Sequence, residues 1–200
     1  NVRNERVVLI VQVLKDELRH KILLESEHLF LQRGYDRTSL QMIADKVNIS
    51  KSNLYHYFKN KEELFYELTD SAADGLKRMI LRFRSMRFDL NMDAQEFRML
   101  LTEEVLSLLL AEKYGLLLIM EQANGTRYEN LRPVMIELIA SKIMPMLADE
   151  ENSPMMAQIM ARNLVDGTVH ILKNRVRPSE VRAGLNQLIT YHTQGMHALQ

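Results

Sequence analysis

Apolar residues recur at three- and four-residue intervals almost from end to end of this chain, and no alternating run leads into a Gly-containing hairpin turn. That pattern commits the chain to helices. Leu14, Leu18, Ile22 and Leu29 set the spacing early. The β-branched run Val7, Val8, Ile10, Val11 and Val13 also suits a short strand, but it passes directly into the helical series. We read one long first helix with an open start that ends at Arg33. Gly34 then fits the left-handed position that terminates helices, where a side chain would clash.

Composition narrows the class further. Hydrophobic residues make up 46% of the 200 residues, enough for a packed core. Cysteine is absent, which excludes disulfides and thiolate metal sites and agrees with a reducing, cytoplasmic setting. No apolar run exceeds the length of Val7 to Val11 by enough to span a membrane. No charged segment, long apolar segment and small-residue cleavage site occur in the order of a secretory signal. Acidic and basic residues balance at 26 each, so any anionic partner must be met by a local patch rather than by net charge. One such patch exists. Lys46, Lys51, Lys59 and Lys61 fall in a stretch with no acidic residue, interleaved with Tyr55, Tyr57 and Phe58.

The elements around that patch are marked by their caps. Thr38 followed by Gln41 has capping-box spacing and predicts the start of a short helix with Ile43, Ala44 and Val47 inward. Asn48 tolerates left-handed backbone and suits the turn that follows. Ser50 predicts the cap of a third helix, running to about Tyr57. Asn60 with Glu63 repeats the capping-box spacing and opens a longer helix through Leu64, Leu68, Leu76 and Ile80. Two short helices joined by a tight turn therefore sit between two long ones.

Past about residue 88 the pattern predicts helices over 93–113, 115–123, 129–148, 154–175 and 179–197. Breaks are expected near Asn91, Gly115, Asn124-Gly125, Asp149–Ser153 and Arg177-Pro178. Ser153-Pro154 reads as a cap followed by proline at the first helical position, and Pro145 should kink its helix or end it early.

On the third helix, Leu54 and Phe58 are four residues apart and face inward with Ile49. Lys51, Ser52, Tyr55 and His56 are left on the exposed arc, with Asn53 at its margin. Lysine can donate to guanine O6 and N7, asparagine can pair with adenine, and serine with either partner, so this face carries the inventory for a major groove. Tyrosine hydroxyls and ammonium groups suit phosphate oxygens, which set register. Free N–H groups at the second helix's N-terminus, near Thr38 to Gln41, suit a phosphate as well. The same face also fits a short helix that is merely solvated. Tyr57 also reads as a core aromatic, and His56 as a simply exposed histidine.

The residues Ile22-Leu23, Leu29-Phe30, Gly34-Tyr35, Thr38-Ser39, Ile43-Ala44, Ile49-Ser50-Lys51, Leu54-Tyr55, Tyr57-Phe58 and Asn60-Lys61-Glu62-Glu63-Leu64 together resemble the N-terminal domain of the TetR family of bacterial transcriptional regulators. The resemblance implies an all-α chain. An N-terminal three-helix helix-turn-helix domain, here 1–60, would bind DNA. A C-terminal helical bundle, here 61–200, would bind a ligand and dimerise. Carried over residue by residue, it implies Lys51, Ser52 and Asn53 as base readers, and Tyr55, His56, Tyr57 and Lys61, with Gln41 and Thr38, as contacts to the DNA backbone. The family usually has a small residue where Glu25 stands and glycine where Asn48 and Ser52 stand. The hydroxyl added at Ser52 alters the reading face, so the operator cannot be taken from relatives.

Resemblance says less about the C-terminal part. It implies that the last two helices, with Ile159, Leu164, Val165, Val169 and Leu172 in one and Val181, Leu185, Leu188 and Ile189 in the other, pair across a homodimer as a four-helix bundle, although these stripes also suit ordinary core. Eight of the thirteen methionines lie between Met99 and Met160, where flexible thioethers fit either a core or a pocket for varied apolar ligands. By position, Met99, Tyr114, Met120, Gln122, Met135, Met160 and His170 are the candidate pocket residues.

No catalytic set assembles from the sequence: there is no nucleophile elbow, phosphate loop or zinc-binding histidine pair, and no cofactor or metal is called for. Glu25 and His28 read as a surface pair. Two function classes remain. One is a repressor that binds a palindromic operator as a dimer and is released by a small apolar or amphipathic ligand, the fourth helix carrying the movement. The other is a DNA-binding dimer with a protein partner or a chromosome-structural role and no inducer.

Overall fold

The computed structural model describes residues 2–85, 103–147 and 151–197. Every regular element among them is helical: α1 (Val2–Arg33), α2 (Leu40–Val47), α3 (Lys51–Leu54), α4 (Lys61–Ser85), α5 (Glu103–Ala111), α6 (Lys113–Gln122), α7 (Leu131–Ile143), a 3-10 turn (Met144–Met146), α8 (Ser153–Asn174) and α9 (Pro178–His197). The β-branched stretch near the start is therefore part of α1, not a strand. Extending an existing helix adds a backbone hydrogen bond for each residue fixed, which overrides the local β preference of valine and isoleucine.

Local chemistry sets most of the boundaries. Gly34 adopts φ +88° and its N–H donates to the Phe30 carbonyl at 2.9 Å, ending α1 as expected. Asn48, at φ 64°, turns the chain out of α2. The cap of α2 is Ser39 rather than Thr38: the Ser39 hydroxyl accepts from the Met42 N–H at 3.2 Å. Both residues can cap, and tertiary burial of Thr38 decides between them. The Ser50 hydroxyl accepts from the Asn53 N–H at 3.1 Å and starts α3. At α4, Asn60 Oδ1 accepts from the Glu63 N–H at 2.7 Å, while the Glu63 carboxylate reaches back to the Lys59 N–H at 2.6 Å.

Helices α1 to α3 close around Ile22, Phe30, Ile43, Ala44 and Leu54, all fully buried, and Phe58 at 1% exposure. The first turns of α4 complete this core, with the Phe65 ring edge-on to Phe30 at 5.5 Å and to Tyr35 at 5.0 Å. Each buried leucine, isoleucine and phenylalanine here stabilises the unit by roughly 1.5–3 kcal/mol relative to exposure. The helix that leaves this unit thus begins inside it.

In the second half, α8 packs on α7 and α9, and α6 packs on α4. Gly115 does not break the chain as its residue type suggested. It lies buried within α6, and the break falls at Glu112 instead. Pro145 does end α7, at Ile143, with the 3-10 turn carrying the chain on. Helix α8 starts at Ser153, so Pro154 is its second residue, not its first. Ser153 is buried. Among the described residues, no helix is long and apolar enough to cross a membrane.

Candidate nucleic-acid interface

Helix α3 is a single turn. Its backbone continues through two turn bonds, His56 N–H to the Asn53 carbonyl and Tyr57 N–H to the Leu54 carbonyl, so residues 51–57 form one compact projection. Leu54 and Phe58 anchor it, and Ile49 packs half-buried beside them. Lys51, Ser52, Tyr55 and His56 are exposed together, with Asn53 half-buried at the edge. The Lys51 ammonium lies 5.9 Å from the centre of the Tyr55 ring, which groups charge and phenol on one arc. Tyr57 is half-buried against the core.

Gln41 lies exposed on α2, its amide donating to Asp45 at 2.7 Å. Lys46 and Lys59, the other two lysines of the patch, are exposed as well.

Two expected members of the face sit elsewhere. Thr38 is 2% exposed, and its hydroxyl donates inward to the Gly34 carbonyl at 2.8 Å and the Leu29 carbonyl at 3.3 Å. It fastens the turn after α1 and presents nothing to the surface. Lys61 donates to the Tyr35 carbonyl at 2.7 Å and lies 4.1 Å from the centre of that ring. Burial lowers its ammonium below the ordinary lysine value, with the Asp36 carboxylate opposing. Its ammonium ties the start of α4 to the turn after α1.

Behind this unit, the second half encloses a cavity of about 140 Å³. Of the seven residues expected there, Met120 and Met135 line it. Met160 is buried outside its wall, while Tyr114 (51% exposed) and His170 lie on the surface. Gln122 points instead towards Gly34, and Met99 lies outside the described residues. Helical position alone could not say which face of each helix turns inward. Among the described residues, the polar side chains in the wall are Thr168 and Lys142. The Thr168 hydroxyl donates to the Leu164 carbonyl at 2.8 Å, and the Lys142 ammonium to the Arg84 carbonyl at 3.1 Å. The rest of the wall is aliphatic but for Phe83 and the thioethers of Met79, Met120, Met135 and Met146. As for Glu25 and His28, they are a pair 3.9 Å apart in which His28 is exposed and Glu25 half-buried.

Residues 22–68 match the family profile described as bacterial regulatory proteins, tetR family. The biofilm operon icaADBC HTH-type negative transcriptional regulator IcaR of Staphylococcus epidermidis is 34% identical over 65 residues, 32% of this chain and 35% of that protein. The HTH-type transcriptional activator FasR of Mycolicibacterium smegmatis is 34% identical over 62 residues, 31% of this chain and 28% of that protein. The chain thus matches about a third of the length of these curated relatives. The fold extends further than the sequence match. The crystal structure of Mycobacterium smegmatis AmtR shares it with a TM-score of 0.53 at 19% identity, over 91% of this chain and 95% of that one. The capped helix-turn-helix lies inside the matched segment, so residues 22–68 form an N-terminal domain of the TetR family of bacterial regulatory proteins, and every regular element described beyond it is helical.

Proposed function

We propose that the chain is a cytoplasmic repressor that binds a palindromic operator as a homodimer and is released by a small apolar ligand. Lys51, Ser52 and Asn53 read bases, while Gln41, Tyr55, His56 and Tyr57 hold the DNA backbone, with Lys46 and Lys59 adding charge. The observation that carries this reading is the shared exposure of Lys51, Ser52, Tyr55 and His56 on a projection fixed from behind by Leu54 and Phe58. A major groove admits such an element, and direct readout needs these donors and acceptors. Residues 1–60 act as the DNA-binding domain and 61–200 as the ligand-binding and dimerisation domain, with the first turns of α4 serving both.

Pairing of copies through α8 and α9 is supported by apolar side chains those helices leave uncovered: Met155 at 59% exposure, Ile159 at 44% and Tyr191 at 69%. Ligand release is supported by the cavity. Its volume of about 140 Å³ is close to that of an engineered apolar cavity that holds benzene, and below the range of drug-sized pockets. In this conformation it suits a small aliphatic or aromatic group. That small size is also the observation that favours the second reading, a DNA-binding dimer with a protein partner and no inducer. Saturating ligand that leaves operator affinity unchanged would decide for it.

The test of DNA reading is fluorescence anisotropy with DNA flanking the protein's own coding sequence, across a salt series. Wild type should bind tightly and lose affinity steeply with salt, and the Lys51→Ala, Asn53→Ala double variant should lose specific binding. Equal binding by the variant would move the reading face to other residues.

A further inference from the structure

The loop that follows α6 is fastened to the DNA-facing unit at several points. Its Arg127 guanidinium lies 3.7 Å from the centre of the Tyr66 ring and 4.9 Å from that of Tyr128. The same group donates to Asp70 at 2.6 Å and to the Tyr128 hydroxyl at 2.8 Å. Tyr128 in turn donates to Asp70 at 2.6 Å, and the Arg127 backbone N–H reaches the Tyr66 hydroxyl at 3.3 Å. Tyr66 and Asp70 belong to the early turns of α4, one and five residues after the Phe65 that closes the α1–α3 core. A second set of contacts reaches the turn after α1. The Asn124 amide donates to Asp36 at 3.1 Å, and the Gln122 side-chain oxygen lies 2.9 Å from where a Cβ on Gly34 would be.

Helix α6 is itself part of the cavity wall, contributing Leu116, Leu117 and, near the loop, Met120. The Met120 carbonyl accepts from Arg132 at 2.9 Å, and Arg132 also holds Asp166 of α8. A side chain that moves in the cavity wall is therefore seven residues from the Arg127 contact along one helix and its loop.

Two attachments fix an orientation where one does not. Helix α4 joins the DNA-facing unit to the rest of the chain and α1 packs on α6, but helices held by packing alone can slide or pivot on one another. We infer that Arg127 is the positioning residue of a second attachment, one that sets the tilt of the DNA-facing unit and carries displacement of α6 to it. The regulatory purpose of this device rests on the ligand-release reading above; the positioning itself does not. A planar guanidinium that lies against two rings and donates to a carboxylate resists sliding in a way that a lysine ammonium cannot. Arg127 and Asp70 are each about half exposed at their side chains (51% and 50%), so removing the arginine leaves no buried charge and the protein should still fold.

The absence of cysteine allows a clean measurement. Cysteines introduced at Lys46 on α2 and Glu137 on α7, both exposed, are labelled as a donor–acceptor pair, and labelled chains are diluted into unlabelled protein so that only intrachain distances are read. Wild type should give one narrow distance. Arg127→Ala should broaden it or shift it by more than about 2 Å, the scale of a domain rearrangement, with helicity unchanged. Arg127→Lys should resemble the alanine variant. Enlarging the wall with Met120→Trp, or with Leu117→Phe, should shift the distance in wild type and leave it unmoved in the Arg127→Ala background. An unchanged distance and width in Arg127→Ala, with or without a lower melting temperature, would reduce the cluster to a local staple and overturn the inference. A wall-variant shift that survives in the Arg127→Ala background would overturn the relay. Neither DNA nor ligand enters the measurement, so failure of ligand release would leave its outcome standing.

Discussion

Gly115 of α6 lies against Ala72 of α4 so closely that a Cβ built on the glycine would stop 2.7 Å from the Ala72 Cβ and 2.9 Å from the Leu68 carbonyl oxygen. Neither neighbour is the far end of a flexible side chain. In an open helix, alanine in place of glycine stabilises by about 1 kcal/mol. Here the sign should reverse: Gly115→Ala should destabilise by about 1–3 kcal/mol as the two helices are forced apart. Urea denaturation reads the difference directly, and a gain in stability would mean that α4 and α6 separate easily.

Thr38 offers a test of a residue that reads as a DNA contact in sequence and lies inside in structure. Thr38→Val keeps the shape and removes the donor to the Gly34 and Leu29 carbonyls. Stability should fall by about 1–3 kcal/mol. The salt dependence of DNA binding by the folded variant should stay as in wild type, because no phosphate contact is lost. Gln41→Ala should show the reverse: stability within about 0.5 kcal/mol of wild type, as for an exposed site, and weaker binding. Equal loss of affinity without loss of stability in Thr38→Val would return the hydroxyl to the DNA face.

The helical class, the long α1 closed by Gly34, the Asn48 turn and the caps at Ser50 and Asn60 were legible because each rests on local chemistry: spacing, a left-handed φ, or a side chain three residues from the N–H it accepts. The exposed arc around Lys51 followed from the same periodicity. What failed depended on tertiary contact. Thr38 and Ser39 are equivalent caps until burial chooses, and Gly115 signals a break until Ala72 is seen against it. Pocket residues fared worst, with Met120 and Met135 placed in the wall and Tyr114 and His170 facing out, since helices of weak amphipathicity do not declare an inward face. Arg127 gave no signal at all. Its partners Tyr66 and Asp70 are more than fifty residues away in sequence.

Ser50 carries more of α3 than a cap normally would, because that helix is one turn long. Ser50→Ala removes the acceptor for the Asn53 N–H and should cost about 1 kcal/mol of stability. The reading face should suffer further, since Lys51, Ser52 and Asn53 all sit in the turn that the cap orders. We expect operator affinity to fall by more than that stability loss alone explains, with Ser50→Asp, which restores a capping oxygen, recovering most of the stability. Unchanged affinity in Ser50→Ala would mean that the core contacts of Leu54 and Phe58 hold the face without help.

Tyr128 provides a titration that reports on the contact between the α6–α7 loop and α4. Its phenol is pushed up to about 12, chiefly by burial and then by the bond to Asp70, with Arg127 opposing. The ordinary phenol value is about 10. Because the folded value lies above the unfolded one, the contribution to stability is fully present below about pH 10 and is lost as pH rises through about 12. Wild type should therefore lose stability relative to Tyr128→Phe across that window, while the difference between them stays constant from neutral pH to about 9. The near-ultraviolet tyrosinate absorbance of the folded protein should show one late-ionising phenol that Tyr128→Phe removes, against a background in which Tyr35 and Tyr66 are also raised by burial. Asp70→Asn should bring the Tyr128 ionisation down only part of the way, since burial remains the larger cause. A Tyr128 that titrates with the exposed tyrosines would show that the loop stands away from α4 in solution, and the Arg127 attachment would fall with it.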